Sequence, residues 1–261
     1  MQILIATAIV TAIGIFCAIM LVIASKCFHV EVDQKITDIR ACLPGANCGA
    51  CGYAGCDGYA EALVNDSTVK TNLCIPGADA VAAQIAEVLG VEALDVIELT
   101  ARVNCNGTCD NTSKTADLYG VKSCAAAKLI FGGAGKCSYG CLGFGDCAKV
   151  CPNDAICIDN GIAHVIQEKC IGCGLCAKTC PNSIITLAPT VLPVTVKCSN
   201  KDKGAVARKK CSAACIGCMK CEKTCPNGAI KVQDNLAVID YSKCTNCGEC
   251  AKACPVGCIK I

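Results

Sequence analysis

The chain has 261 residues, of which 30 are cysteine, two histidine, four phenylalanine and none tryptophan. A formal net charge of +2 excludes whole-chain polyelectrolyte binding to nucleic acid, and the scarcity of aromatics excludes a conventional aromatic-rich core. Covalent or metal staples must substitute, and cysteine is the residue present in quantity to supply them, as disulfides, zinc sites or iron–sulfur clusters.

Residues 3–24 carry no charge; as a helix at ~1.5 Å per residue they extend about 33 Å, enough for a bilayer core. A cleaved signal peptide needs a basic segment first, and only Met1 and Gln2 precede the apolar run. A lipoprotein signal needs a small residue before the modified cysteine, whereas Cys27 follows Lys26. Residues 1–25 therefore read as a retained transmembrane anchor. Lys26, Lys35 and Arg40 follow it and nothing basic precedes it, which puts the remainder in the cytoplasm, where cysteines stay reduced. Cys17 reads as a small apolar residue of the span and Cys27 as a juxtamembrane thiol. Residues 26–41 read as a polar linker.

Residues 42–99 form the first cysteine domain. Its core is NCGACGYAGC followed by NLC, which sets out Cys48, Cys51, Cys56 and Cys74. Gly49, Gly52 and Gly55 fall between ligand positions, where the backbone must turn tightly beside inorganic sulfide. The four thiols read as one complete 4Fe–4S site. Cys42, ahead of Leu-Pro-Gly, is then not needed. A helix over 57–64 returns the chain toward Cys74. A second helix, DAVAAQIAEVL over 79–89, lies between Pro76-Gly77 and Gly90 and is expected to pack on this domain.

From about Thr100 the chain repeats itself, giving one module over 100–190 and another over 191–261. Residues 170–181 (CIGCGLCAKTCP), 215–226 and 244–255 share C-x2-C-x2-C-x3-C-P, the bacterial ferredoxin run. Residues 137–152, CSYGCLGFGDCAKVCP, have the looser C-x3-C-x5-C-x3-C-P. Eighteen residues separate Cys151 from Cys170, and eighteen separate Cys225 from Cys244. Each connector reads strand, turn, strand, with Asn160-Gly161 a strong hairpin signal. The looser run keeps its cysteines, its proline and its connector, and so reads as a working copy with a longer, glycine-bearing loop.

In two-cluster ferredoxins the fourth cysteine of each run ligates the other cluster. Carried over, that pattern predicts four clusters: Cys137, Cys141, Cys147 and Cys180; Cys170, Cys173, Cys176 and Cys151; Cys215, Cys218, Cys221 and Cys254; Cys244, Cys247, Cys250 and Cys225. With the N-terminal site the expectation is five 4Fe–4S clusters. The fold expected is small α+β: an N-terminal transmembrane helix, a four-Cys 4Fe–4S domain and two tandem two-cluster ferredoxin-like modules.

Cys17, Cys27, Cys42, Cys105, Cys109, Cys124, Cys157, Cys198, Cys211 and Cys258 are left over. Cys258 aligns with Ala229 and reads as a small buried residue; Cys157 aligns with Lys231. VNC at 103–105 matches VKC at 196–198, and KSCAAA at 122–127 resembles KKCSAA at 209–214. Cys105, Cys124, Cys198 and Cys211 could therefore form a sixth cluster site, two disulfides, or free thiols. His29 and His164 belong to no catalytic or metal constellation, His164 being expected on a hairpin surface, and no glycine-rich dinucleotide fingerprint is present. Charge is uneven: residues 197–223 hold eight Lys or Arg against Asp202 and Glu222, while 41–99 hold eight Asp or Glu against Lys70.

The single N-terminal span, LPGANCGACGYAGCDGYAEAL with its downstream NLC, and the two ferredoxin modules resemble the RnfB component of the Rnf complex, in its clostridial-type branch. The resemblance covers essentially the whole chain. It implies an electron-relay subunit of a membrane-bound, ion-translocating ferredoxin:NAD oxidoreductase, with electrons from reduced soluble ferredoxin, other Rnf subunits as partners, and a single pass in the cytoplasmic (inner) membrane. Flavin, nicotinamide and ion sites would lie on those other subunits, leaving no catalytic residue here. The competing readings are an anchored polyferredoxin of another oxidoreductase or hydrogenase, and a zinc-stapled interaction module. A basic second module suits an acidic ferredoxin.

Overall fold

The computed structural model describes residues 2–27 and 33–261; within 2–27, side chains are described at Ile5 and residues 11–24. His29 and the side chain of Cys27 lie outside the described residues. Helix α1 (Gln2–Cys27) exposes its described apolar side chains, among them Phe16 and Leu21, and Cys17 is exposed with them. Among the described residues no helix is long and apolar enough to cross a membrane, so the expected span rests on the sequence.

The polar linker expected over 26–41 is partly a packed helix. Asp33 accepts from the Lys35 amide to cap α2 (Gln34–Cys42), an N-cap bond that satisfies an otherwise orphaned donor. Ile36, Ile39 and Leu43 fall on one face, and Ile39 is fully buried beside Tyr59, Leu63 and Ile85. Those partners come from α3 (Cys56–Asn65) and α4 (Ala78–Leu89). Helix α4 ends at Gly90, whose φ of 69° permits the left-handed cap. The two helices expected in this region are thus present, and both pack on α2.

The remainder is a repeat. Strand β1 (Leu99–Val103) is followed by α5 (Cys124–Leu129), α6 (Asp146–Lys149), the hairpin β2 (Ile156–Asp159) and β3 (Ile162–Val165), α7 (Leu175–Thr179) and β4 (Ile185–Pro189). The second unit runs β5 (Thr195–Val196), α8 (Gly204–Lys210), α9 (Lys220–Thr224), the hairpin β6 (Ile230–Gln233) and β7 (Leu236–Ile239), α10 (Glu249–Ala253) and β8 (Ile259–Lys260). In each, the first strand pairs antiparallel with the last, Val103 opposite Ile185 and Val196 opposite Ile259. The two hairpins turn through positive-φ pairs, Asn160-Gly161 and Asp234-Asn235, matching the right-handed twist of the strands.

Each repeat buries its own aliphatic layer. Val103, Ile156, Ile162 and Ile184 pack with cysteines in the first, and Val194, Val196, Ile230 and Ile259 in the second. No aromatic belongs to the buried part of either, so the sulfur side chains complete both cores. Arg102 is a buried cation whose Nη1 and Nη2 donate to the carbonyls of Pro193 (2.7 Å) and Pro189 (3.1 Å). It thereby fixes the segment that leads from one repeat into the next.

Candidate iron–sulfur sites

The N-terminal thiols converge at the start of α3. Asn47 Oδ1 accepts from the Cys56 amide at 2.9 Å, holding the loop against the helix. Tyr59 Oη donates to the Lys70 carbonyl (2.7 Å) and accepts from the Leu73 amide (3.3 Å), which pins the segment that delivers Cys74. Burial pushes the Cys74 thiol up, with smaller contributions from Cys56, Cys51 and Cys48 nearby. Cys56 and Cys74 are buried in one cluster, with Cys51 packed against it. Lys178 of α7 donates to the Cys48 carbonyl at 2.9 Å and joins this domain to the first repeat.

In the first repeat, Cys151 lines one cavity with Cys170, Cys173 and Cys176. The sulfur of Cys151 accepts from the Ala155 amide at 3.3 Å, and that of Cys170 from the Ala101 amide at 3.4 Å. In the second repeat, Cys225 lines a matching cavity with Cys244, Cys247 and Cys250, and its sulfur accepts from Ala229 at 3.3 Å. Cys221 lies by Cys215, Cys218 and Cys254, and burial, reinforced first by Cys215, pushes its thiol up to about 11. These sets bring together cysteines from two runs.

The looser run departs from its expected partition. The cavity lined by Cys141, Cys147 and Cys180 is completed by Cys124 and not by Cys137. Burial pushes the Cys147 thiol up to about 12, with Cys141, Cys124 and Cys180 adding to it. Cys124 opens α5, whose N-cap Ser123 accepts from the Ala126 amide, and the Ala125 amide donates to Asp146 of α6 at 3.1 Å. Those bonds set α5 beside α6, so a thiol thirteen positions upstream of Cys137 takes its place. Cys137 turns instead toward Cys105, Cys198 and Cys211, with which it lines a second cavity that Cys141 also borders. The set Cys105, Cys124, Cys198 and Cys211 is accordingly not the one brought together. Gly143, at φ 75°, lies so close to the Gly161 carbonyl that an added Cβ would stand 2.7 Å from it; the lengthened loop is thus packed on the hairpin turn.

The described cysteines are free of disulfides. Among the described residues no three His, Cys, Asp or Glu converge tightly enough to hold a single metal ion. A cubane assigns each thiolate its own iron, so its ligands stand wider apart than those of one zinc. Four-thiol cavities with amides aimed at sulfur fit the cubane. Cys109 and Cys157 are exposed and Cys42 half-buried, outside these cavities, and His164 is exposed on β3.

Residues 43–76 match the family described as a putative Fe-S cluster, 214–258 a 4Fe-4S dicluster domain, and 141–155 and 163–186 a 4Fe-4S binding domain. The chain is 45% identical over 242 residues, 92% of its length and 72% of the relative's, to the B component of the Na(+)-translocating ferredoxin:NAD(+) oxidoreductase complex of Acetobacterium woodii. It is 46% identical over 235 residues to the proton-translocating counterpart from Clostridium ljungdahlii, covering 83% of that protein. The chain belongs to the RnfB family. A further family member, the B component of the ion-translocating oxidoreductase complex of Methanosarcina acetivorans, is 39% identical and 89% covered. The segment matched in the looser run begins at Cys141, past Cys137, and Cys105, Cys124, Cys198 and Cys211 fall outside all four matched segments.

Proposed function

We propose that this chain is the electron-relay subunit of a membrane-bound, ion-translocating ferredoxin:NAD oxidoreductase, taking electrons from reduced ferredoxin and handing them to membrane and flavin subunits. The observation that carries this is the serial placement of the four-thiol sites. The Cys48 site abuts the first repeat through Lys178, and Cys173 lies close enough to Cys48 for their charges to interact. Three of the sites use crossed ligand sets: Cys170, Cys173, Cys176 with Cys151; Cys215, Cys218, Cys221 with Cys254; Cys244, Cys247, Cys250 with Cys225. A fourth uses Cys124, Cys141, Cys147 and Cys180, and the fifth Cys48, Cys51, Cys56 and Cys74. When bound, a 4Fe–4S cluster supplies one-electron chemistry; the chain supplies thiolates, burial and N–H···S hydrogen bonds that set its potential.

Residues 1–25 serve as the anchor, supported by the uncharged run and by described apolar side chains exposed all round α1. The repeats then stand on the cytoplasmic side, domains being divided at about 42, 100 and 191. Ferredoxin docks on the second repeat. There the ligand candidates Cys218 and Cys247 are exposed, beside exposed Lys220 and Lys223, whereas the sites of the first repeat have no exposed cysteine.

The test is anaerobic purification of the full chain followed by mixing with reduced ferredoxin. Brown, sulfide-containing protein that bleaches on mixing is expected. A colourless protein, or one that ferredoxin leaves oxidised, overturns the assignment.

A further inference from the structure

We propose that Cys105, Cys137, Cys198 and Cys211 hold a sixth 4Fe–4S cluster at the junction of the two repeats, an inference that rests on reading the other thiol cavities as cluster sites. The cavity measures about 460 Å³, against about 340–360 Å³ for the three other cysteine cavities described above. Glycine backbone lies against three of its four cysteines. A Cβ built on Gly107 would meet the sulfurs of Cys105 at 3.4 Å and Cys211 at 3.9 Å. One built on Gly140 would meet Cys137 Cβ at 3.7 Å and Cys105 Sγ at 3.8 Å.

The two halves of the site are equivalent. Cys105 follows β1 as Cys198 follows β5. The preceding residues are held alike, Asn104 N donating to the Ile184 carbonyl and Lys197 N to the Cys258 carbonyl, each at 2.7 Å. Cys105 Sγ accepts from the amides of Gly107 and Cys141, both at 3.3 Å. Cys198 Sγ accepts from Asn200 at 3.5 Å and Cys215 at 3.3 Å, so Cys141 and Cys215 correspond. Cys137 precedes Cys141 by the same x3 spacing with which Cys211 precedes Cys215. Each repeat therefore offers one thiol after its first strand and one just ahead of its ligand run. Two such pairs make a four-thiol set that neither repeat holds alone.

The surroundings suit an anionic, sulfur-rich group. Asn200, buried to 1% exposure, donates through Nδ2 to Cys137 Sγ at 3.4 Å across the junction, while its Oδ1 accepts from the Asp202 amide. Lys197 lines the cavity. The junction closes around it by hydrogen bonds: Ser199 Oγ to the Asn104 carbonyl (2.8 Å), Thr112 Oγ1 to the Lys210 carbonyl (2.7 Å) and Ser212 N to the Asn111 carbonyl (2.8 Å). These thiols sit between the Cys141 site and the Cys215 site, where a serial relay otherwise changes repeats without a centre.

The experiment counts iron, acid-labile sulfide and zinc per anaerobically purified full chain. Wild type should hold about twenty-four irons and as many sulfides, at four per four-cysteine site. The pair Cys105→Ser/Cys137→Ser should lose about four of each, as should the pair Cys198→Ser/Cys211→Ser, and the quadruple variant no more than either pair. Losses that add in the quadruple variant mean each pair damaged its own repeat, and overturn the shared site. About twenty irons in wild type, unchanged in both pairs, also overturns it, as does loss of one zinc in place of four irons. A wild type without iron or sulfide refutes the relay itself and is thereby distinguishable. Asn200→Ala, which keeps all thiols, should move the midpoint of one EPR-active centre to more negative potential without iron loss; no shift in any centre counts against the site.

Discussion

The sulfurs of Cys254 and Cys258 stand 3.6 Å apart, and Cys254 is the one that belongs to a ligand run. A ligating thiolate cannot donate, so Cys258 does. Cys258 is buried to 1% exposure, which favours the neutral thiol, so it stands as a donor beside a sulfur of that site. A donor to cluster sulfur stabilises the reduced, more negative state. Cys258→Ala should lower that centre's midpoint by about 20–40 mV, the one-electron equivalent of a weak hydrogen bond of about 0.5–1 kcal/mol. Redox titration followed by EPR measures it, and an unchanged midpoint rejects the donor role.

Cys124→Ala should remove about four irons, whereas Cys109→Ala and Cys157→Ala, at exposed positions, should remove none. Iron analysis of the three variants separates the partition seen in the structure from the one implied by run spacing, in which Cys124 is not needed.

Tyr59→Phe deletes the hydroxyl that joins Lys70 and Leu73 to α3. A half-buried carbonyl and amide lose their partner, at a cost of about 1 kcal/mol. The Cys74 segment should loosen, and the corresponding EPR signal should decay faster in air than in wild type. Equal decay rates would show that the segment is held by other contacts.

Charge reversal of exposed Lys220 and Lys223 to Glu should slow reduction by ferredoxin about tenfold at low ionic strength. The difference should shrink as salt screens the pair. Stopped-flow rates across a salt series provide the check, and a salt-independent rate removes the docking role.

Chelation of iron under anaerobic conditions should unfold both repeats, because their aliphatic layers are completed by cysteine and contain no buried aromatic. Far-UV circular dichroism should lose most of its strand and turn signal together with the brown colour. Retention of the signal would mean that the aliphatic layers suffice.

Local features were legible in the sequence. The Asn160-Gly161 turn, the paired connectors and helices α3 and α4 follow from residue chemistry within a few positions of one another. The place of Cys137 was not, because run spacing counts along the chain, while the site is filled by Cys124 from a different helix held through Asp146. The x3 spacing shared by Cys137-Cys141 and Cys211-Cys215 was the available signal. Helix α2 was hidden by its polar composition, although Ile36, Ile39 and Leu43 carry helical spacing. The gathering of Cys105 with Cys198 depends on how two repeats dock, which no single repeat encodes.

The amide bonds from Cys141 to Cys105 and from Cys215 to Cys198 carry a further consequence. In each, the sulfur of one site is joined to the sulfur of the next through a single residue's own skeleton and one N–H···S link. Electronic coupling decays less along bonded atoms than through empty space. The duplication that produced two repeats therefore also produced two matching links, and an electron crossing the junction of the proposed relay would find a bonded path of the same kind on either side.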